Sequence, residues 1–189
     1  KRIYAARRVS ESQLSMALPG LLKPSFDQLN IALELLEKCL LEDKKILIVG
    51  DFDADGATAS AVAIKALRLM GAKHVDFLVP NRFKHGYGLS PEIVKEAKNK
   101  KEPDLIITVD NGISSNEGAA LARSLGIDVI ITDHHLPPSE LPNANAIINP
   151  NLRGCDFPSK NLAGVGVSFY LFSSLKTYLL NHGYFEKNN

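Results

Sequence analysis

Cysteine is scarce in this chain, and no charge of one sign dominates it. Two cysteines, Cys39 and Cys155, in 189 residues are too few and too far apart for a disulfide framework or a paired-cysteine zinc site. They point to a reducing cytoplasm. The formal net charge is only +1, so no global basic field advertises a polyanion. Such a partner would have to be held by local basic groups or by metal ions. Long apolar runs are also missing. The longest are strand-sized, which excludes a membrane-spanning segment, and the basic opening "KRIYAARR" lacks the apolar stretch of a secretory signal. There is no initiating Met, no repeat and no low-complexity tract, and the polar end "EKNN" reads as the end of an excised piece. What is present is ordinary for a globular chain: 45% hydrophobic and 23% charged residues. The length allows one well-buried domain, or one domain and a fragment of a second.

Residues 1–24 mix charges around a Pro19–Gly20 turn and read as an arm. From Phe26 to Leu41, apolar residues at helical spacing predict an amphipathic helix. The rhythm then changes. Short β-branched runs at 45–50, 75–80, 104–109, 128–132 and 145–150 predict strands buried on both faces. Helix-like segments lie between them at Ala57–Met70, Pro91–Asn99 and Ser115–Leu125, and a last apolar helix spans 162–183, capped at His182–Gly183. Strand and helix alternating over short links predict an α/β fold: a mainly parallel five-stranded sheet with helices on both faces, preceded by an arm and a lead-in helix over 1–44.

In such a sheet, ligands bind outside the carboxyl ends of the strands. The first predicted strand is followed by Asp51, Asp53 and Asp55, the third by Asp110, Asn111 and Gly112, and the fourth by Asp133, His134 and His135. Acids gathered on one edge repel one another unless cations stand between them. Carboxylates with imidazole suit Mn²⁺ or Mg²⁺ better than zinc, and a pair of such ions, about 3.5–4 Å apart, serves phosphoryl transfer. Competing readings exist for each piece. "DFDADG" imitates a calcium loop, but Val62 holds the position that needs a bidentate acid, and a strand rather than a helix leads in. An aspartate after a strand can simply cap the next helix, and Asp110 before Asn-Gly can be turn chemistry. His74 and His182 stay unassigned. "GVGVSF" lacks the third glycine of a dinucleotide fingerprint and reads instead as a helix packed closely on the sheet. Arg82, Lys84 and His85 follow the second strand, on the active edge, as candidate contacts to a phosphate backbone. Phe83 and Tyr87, interleaved with them, are placed to stack bases. Lys160 and Arg153 are weaker candidates of the same kind.

"GDFDADGATA", "ITVDNGISS" and "ITDHHLPP" resemble the first three signature motifs of the DHH phosphoesterases, named for the triplet found here as Asp133-His134-His135. Within that superfamily, "VPNRFKHGYGLSPE" and "INPNLRGCDFPSKNLAGVGVSFYL" resemble the RecJ single-strand-specific exonucleases. The resemblance places a DHH domain over 45–189. It implies a 5′→3′ exonuclease on single-stranded DNA, dependent on Mn²⁺ or Mg²⁺, acting in recombination and repair with replication and repair proteins as candidate partners. Carried over residue by residue, Asp53 and Asp55 each ligate one metal, Asp110 bridges both and His134 ligates one. His135 acts at the scissile phosphate, and Asp133 buttresses the imidazoles. Relatives that cleave polyphosphate or small phosphoesters carry a ligating His where Val49 stands here. Asp51 therefore has two open roles, substitute ligand or hydrogen-bond partner of a bound water. The family pattern continues to a further aspartate in a segment like "DLVALGTVAD", then to a DHH-associated and an OB-type domain. None of these is in the 189 residues, so the resemblance implies an incomplete two-metal site and little nuclease activity from this piece alone. Two alternatives remain. One is a phosphodiesterase of short oligonucleotides or cyclic dinucleotides, against which the 80–89 and 149–160 segments argue. The other is a non-catalytic replication scaffold, against which the retained ligands argue.

Overall fold

A computed structural model describes residues 2–10, 14, 20–81 and 86–187. After a short helix α1 (Arg2–Ala6) with no buried residue, α2 (Leu29–Leu41) leads into β1 (Ile46–Gly50), α3 (Ala54–Leu69), β2 (Val75–Leu78) and α4 (Pro91–Lys100). There follow β3 (Leu105–Val109), α5 (Asn116–Ser124), β4 (Asp128–Thr132), β5 (Ala146–Ile148), α6 (Gly164–Asn181) and α7 (Tyr184–Lys187). The five strands form one all-parallel sheet in the order β2-β1-β3-β4-β5. From β1 the chain first builds outward to β2, then crosses back to β3 on the other side. The strand order therefore reverses between β1 and β3, which opens a crevice at their carboxyl ends.

Alternation along each strand divides the core into two layers. Ile46 and Ile48 of β1, with Leu105, Ile107, Ile130 and Ile148, face a layer closed by α2, α3 and α6. Leu47 and Val49, with Ile106, Val129, Ile131 and Ile147, face α4 and α5 through Ile93, Val94, Ala97 and Ala122. Coverage of both faces is why these strands read as continuous apolar runs. Strand β2 departs from that expectation: Asp76 and Phe77 are exposed, Phe77 to 54%. It is an edge strand with a single neighbour, β1, so only Val75 is fully enclosed. The other edge is tied down, because Ile147 N–H of β5 donates to Gln28 Oε1 at 2.7 Å.

Several element bounds also differ from the sequence reading, each for a local reason. Helix α3 starts at Ala54, a turn early, because Asp53 is its N-cap and accepts from Gly56 N–H at 2.9 Å. Helix α2 starts only at Leu29. Phe26 stays outside it, stacked on Phe157 with ring centroids 4.7 Å apart. Helix α6 ends into Gly183, whose φ of +67° stops it, and the four-residue α7 beyond has no counterpart in the periodicity. Among the described residues no helix is long and apolar enough to cross a membrane.

Candidate metal centre

The backbone ladder runs one residue past each central strand. Asp51 N–H donates to Val109 O at 3.3 Å, Asp110 N–H to Thr132 O at 3.0 Å and Asp133 N–H to Ile148 O at 3.1 Å. The first acids after β1, β3 and β4 are thereby set side by side at the crevice. Glycine makes the close approach possible at Gly56, where a Cβ would fall 2.5 Å from Asp51 O.

Asp110 is the centre of the arrangement. Its φ is +62°, in the left-handed region that non-glycine residues rarely enter. Next to it, Asn111 locks the tip by donating to Val49 O and Val109 O, both at 3.0 Å. The Asp110 side chain is buried, and its Oδ1 has no hydrogen-bond partner among the described residues. His134 Nε2 stands 3.1 Å from that oxygen without forming a hydrogen bond to it. Burial, with the charges of Asp55 and Asp53, pushes the Asp110 carboxyl up to about 7. The α6 N-terminus abuts the same oxygen, since a Cβ on Gly164 would lie 2.3 Å from it.

Around Asp110 the structure assembles two groups of ligand atoms, each within 4.8 Å of one another: Asp51, Asp53 and Asp110, and Asp110, His134 and His135. Asp51 is buried and accepts from Phe52 N–H at 2.7 Å. Burial raises its carboxyl above the usual range, and the charge of Asp53 adds to the shift. Asp55 lies outside both groups. Its two oxygens accept from the N–H groups of Gly164 and Val165, both at 2.7 Å, so it caps α6 from across the crevice. Asp55 Oδ2 is 3.9 Å from His134 Nε2.

Asp133 is fully buried and works behind the histidines. Its Oδ1 accepts from His134 N–H at 2.7 Å, from His135 N–H at 3.0 Å and from His135 Nδ1 at 2.7 Å, and its Oδ2 accepts from Ile113 N–H at 2.9 Å. Burial alone would lower the His135 pKa. The hydrogen bond to Asp133 and the surrounding carboxylates outweigh it and raise the imidazole above its ordinary value. Tyr87 meets His135 edge-on, ring centroids 6.1 Å apart, and its hydroxyl is 3.5 Å from both His135 Nδ1 and Asp110 O.

An unpartnered buried oxygen, two more carboxylates and an imidazole form a hard, oxygen-rich donor set. Its chemistry fits a divalent cation of the magnesium or manganese kind. Known proteins carry the same domain: residues 45–188 match the DHH family, N-terminal domain. The chain belongs to the DHH family. It is 52% identical over 191 residues to the single-stranded-DNA-specific exonuclease RecJ of Escherichia coli K12, a match covering 100% of this chain and 33% of the relative. The RecJ of Bacillus subtilis is 45% identical over 144 residues, 76% of this chain and 18% of that one. A solved exonuclease RecJ bound to manganese superimposes with a TM-score of 0.72 at 37% identity, over 82% of this chain and 38% of that one. RecJ of Thermus thermophilus in complex with Mn²⁺ gives a TM-score of 0.72 at 32% identity, over 93% and 24%. The chain thus spans about a third of the length of the curated RecJ relatives it matches most fully.

Within the DHH frame the sequence-level candidates separate. Asp51, Asp53, Asp110, His134 and His135 come together, Asp133 supports them, and Tyr87 borders them. Asp55 joins as a cap whose carboxylate faces His134. Arg82, Phe83, Lys84 and His85 lie outside the described residues. Lys160 is exposed, and its Nζ donates to Pro150 O at 2.7 Å and Cys155 O at 2.6 Å, bracing the loop after β5. Arg153 is exposed. Sequence reasoning missed the asparagines that carry the histidines. Asn149 Nδ2 donates to His135 O at 2.9 Å, and Asn151 Nδ2 to His134 O at 2.5 Å. The available signal was position, since "NPN" follows a buried strand on the same edge as the acids.

Proposed function

We propose that this chain is the first part of the catalytic unit of an exonuclease that hydrolyses phosphodiester bonds of single-stranded DNA from the 5′ end. In this reading it uses Mn²⁺ or Mg²⁺ and works in cytoplasmic recombination and repair alongside other repair proteins. The observation that carries this is Asp110: a strained, buried carboxylate with an unpartnered oxygen, shared between a three-acid cluster and a two-histidine cluster. The RecJ relatives, named for single-stranded DNA and solved with Mn²⁺, supply the substrate and the metal. We divide the chain into an arm and lead-in helix over 1–44 and a DHH unit from 45 onward, with α2 completing the core of that unit.

Asp51, Asp53 and Asp110 would offer oxygen donors and His134 a nitrogen, with Asp55 facing the same space from its cap position. A bound divalent cation supplies positive charge to the phosphoryl oxygens and makes an attacking water more acidic. Asp133 holds His135 through Nδ1, so Nε2 is the nitrogen presented to a substrate phosphate. The raised pKa of His135 lets it carry a proton toward the leaving oxygen. Asn149 and Asn151 fix the histidine backbones, so the imidazoles pivot little. Tyr87, kept protonated by burial and the nearby acids, offers either a phenol donor or a ring face to the terminal nucleotide.

Calorimetric titration of the 189-residue chain with Mn²⁺ is expected to show binding that Asp110→Ala removes while the far-ultraviolet spectrum is kept. In the full protein the same substitution is expected to lower degradation of long 5′-ended single strands by at least about 10³-fold. Unchanged Mn²⁺ binding and activity in Asp110→Ala would refute the assignment. Preference for dinucleotides over long strands would shift it to the short-oligonucleotide phosphodiesterases.

A further inference from the structure

The edge of the sheet opposite the acids carries a feature the DHH centre does not use. The lead-ins to β1 and β2 and the last turn of α3 enclose a cleft of about 420 Å³. Its lining carries four cations, Lys45, Arg68, Lys73 and Lys101, and the imidazole of His74, against a single acid, Asp76. Three of these cations form exposed ion pairs, Lys45–Glu102 at 3.2 Å, Lys73–Asp43 at 2.6 Å and Lys101–Asp76 at 2.6 Å. Such pairs are weak and yield to a more highly charged anion.

Arg68 and His74 differ from the other three: neither forms a close ion pair among the described residues, although the charge of Arg68 still acts on Asp76. The Arg68 guanidinium is steadied instead by the chain itself, with Nη2 donating to Val75 O at 3.2 Å. A fork fixed at one nitrogen keeps its remaining donors in a plane that matches two phosphate oxygens. The plainer explanation for basic residues here is the negative end of the helix dipole. It covers Arg68, in the last turn of α3, and Lys101, the C-cap of α4. It does not cover Lys45, Lys73 or His74, which lie on the strand lead-ins and the turn after α3.

We infer that this cleft is a second anion site that takes a phosphate group, from either a free nucleotide or a nucleic-acid backbone. Its volume is that of a small-ligand site. The five residues of β1 separate it from the acids by roughly 15 Å, so it acts independently of the metal centre. The inference does not depend on the reading of that centre as a nuclease.

The test is done in EDTA with the 189-residue chain, so that the metal centre neither binds nor cleaves. Anisotropy of a fluorescein-labelled dodecathymidylate and calorimetry of thymidine 5′-monophosphate are the two arms. Arg68→Gln/His74→Gln is expected to weaken the phosphate probe that binds by at least about tenfold. For the oligonucleotide it should also lower the salt slope by about one. Mn²⁺ binding, measured separately without EDTA, should stay unchanged and report an intact fold. If thymidine monophosphate binds, or displaces the oligonucleotide, the site takes free nucleotides. If only the oligonucleotide binds, with or without a terminal phosphate, the source is the backbone. Wild-type protein that binds neither probe, or a double variant that binds both as wild type does, overturns the inference. Failure of the Asp110→Ala experiment would leave this result untouched.

Discussion

Asp110 combines conditions that ordinarily exclude one another: a left-handed backbone, near-complete burial and a carboxylate oxygen that, among the described residues, accepts no hydrogen bond and has only the His134 imidazole beside it. Without a cation its pKa rises from 3.8 to about 7. Between those values the folded chain holds a proton that the unfolded chain has lost, so stability falls as pH rises through that window. His135, also raised, contributes stability below its unfolded pKa and loses it as pH rises through the folded one. The two slopes have the same sign. In EDTA, the melting temperature is expected to drop between pH 5 and pH 8 because of this pair. Asp110→Asn should flatten the drop and raise the pH 8 value by several degrees, at about 2–4 °C per kcal/mol for a chain this size, while abolishing stabilisation by Mn²⁺. Gly164 supplies a second test. Its missing side chain leaves room for Asp110 Oδ1, so Gly164→Ala should weaken Mn²⁺ binding at least tenfold, read by calorimetry. The individual acids were legible in the sequence because they follow buried strands. The conformation of Asp110 was not, because "DNG" is compatible with several turns, and it takes the Asn111 hydrogen bonds to β1 and β3, with α6 packed against the tip, to hold this one.

The elements meet the crevice with two helix N-termini, α3 capped by Asp53 and α6 by Asp55 from the first turn of α3. A cap reaching across from another helix fastens the two together. Asp55→Ala is therefore expected to destabilise the chain by about 1–2 kcal/mol in denaturant titrations without metal, as loss of an N-cap does. A residue acting only as a metal ligand would cost nothing there. Asn151→Ala should leave Mn²⁺ affinity within a few-fold and lower kcat in the full protein more than it raises KM, because it frees the backbone of His134. Strand positions were readable because five β-branched runs had to be buried on both faces. The exception, β2, lies at the sheet edge, and a strand's rank in the sheet is not written in its own residues. Helix starts shifted for the opposite reason: Asp53 looked like a ligand, and its second job as a cap is decided by which N–H groups arrive beside it.

At the scale of the whole chain, charge is distributed by edge. A net of +1 hides acids gathered at the carboxyl ends of the strands and, at the amino ends, a cleft whose lysines are paired with acids around it. That polarity was invisible in the composition, because only the parallel arrangement sorts residues after strands from residues before them. The sheet order also sets when the polarity can arise. Strand β1 lies between β2 and β3, with Ile46 in register with Leu105, and Asp133 is held by the backbone of β5 through Ile148. Pairings so distant in the chain close slowly, and synthesis runs at about 5–20 residues per second. The amino-terminal aspartates therefore leave the ribosome several seconds before β5 exists to complete the edge. A metal centre of this build has no assembled geometry on the nascent chain before β5 is in place.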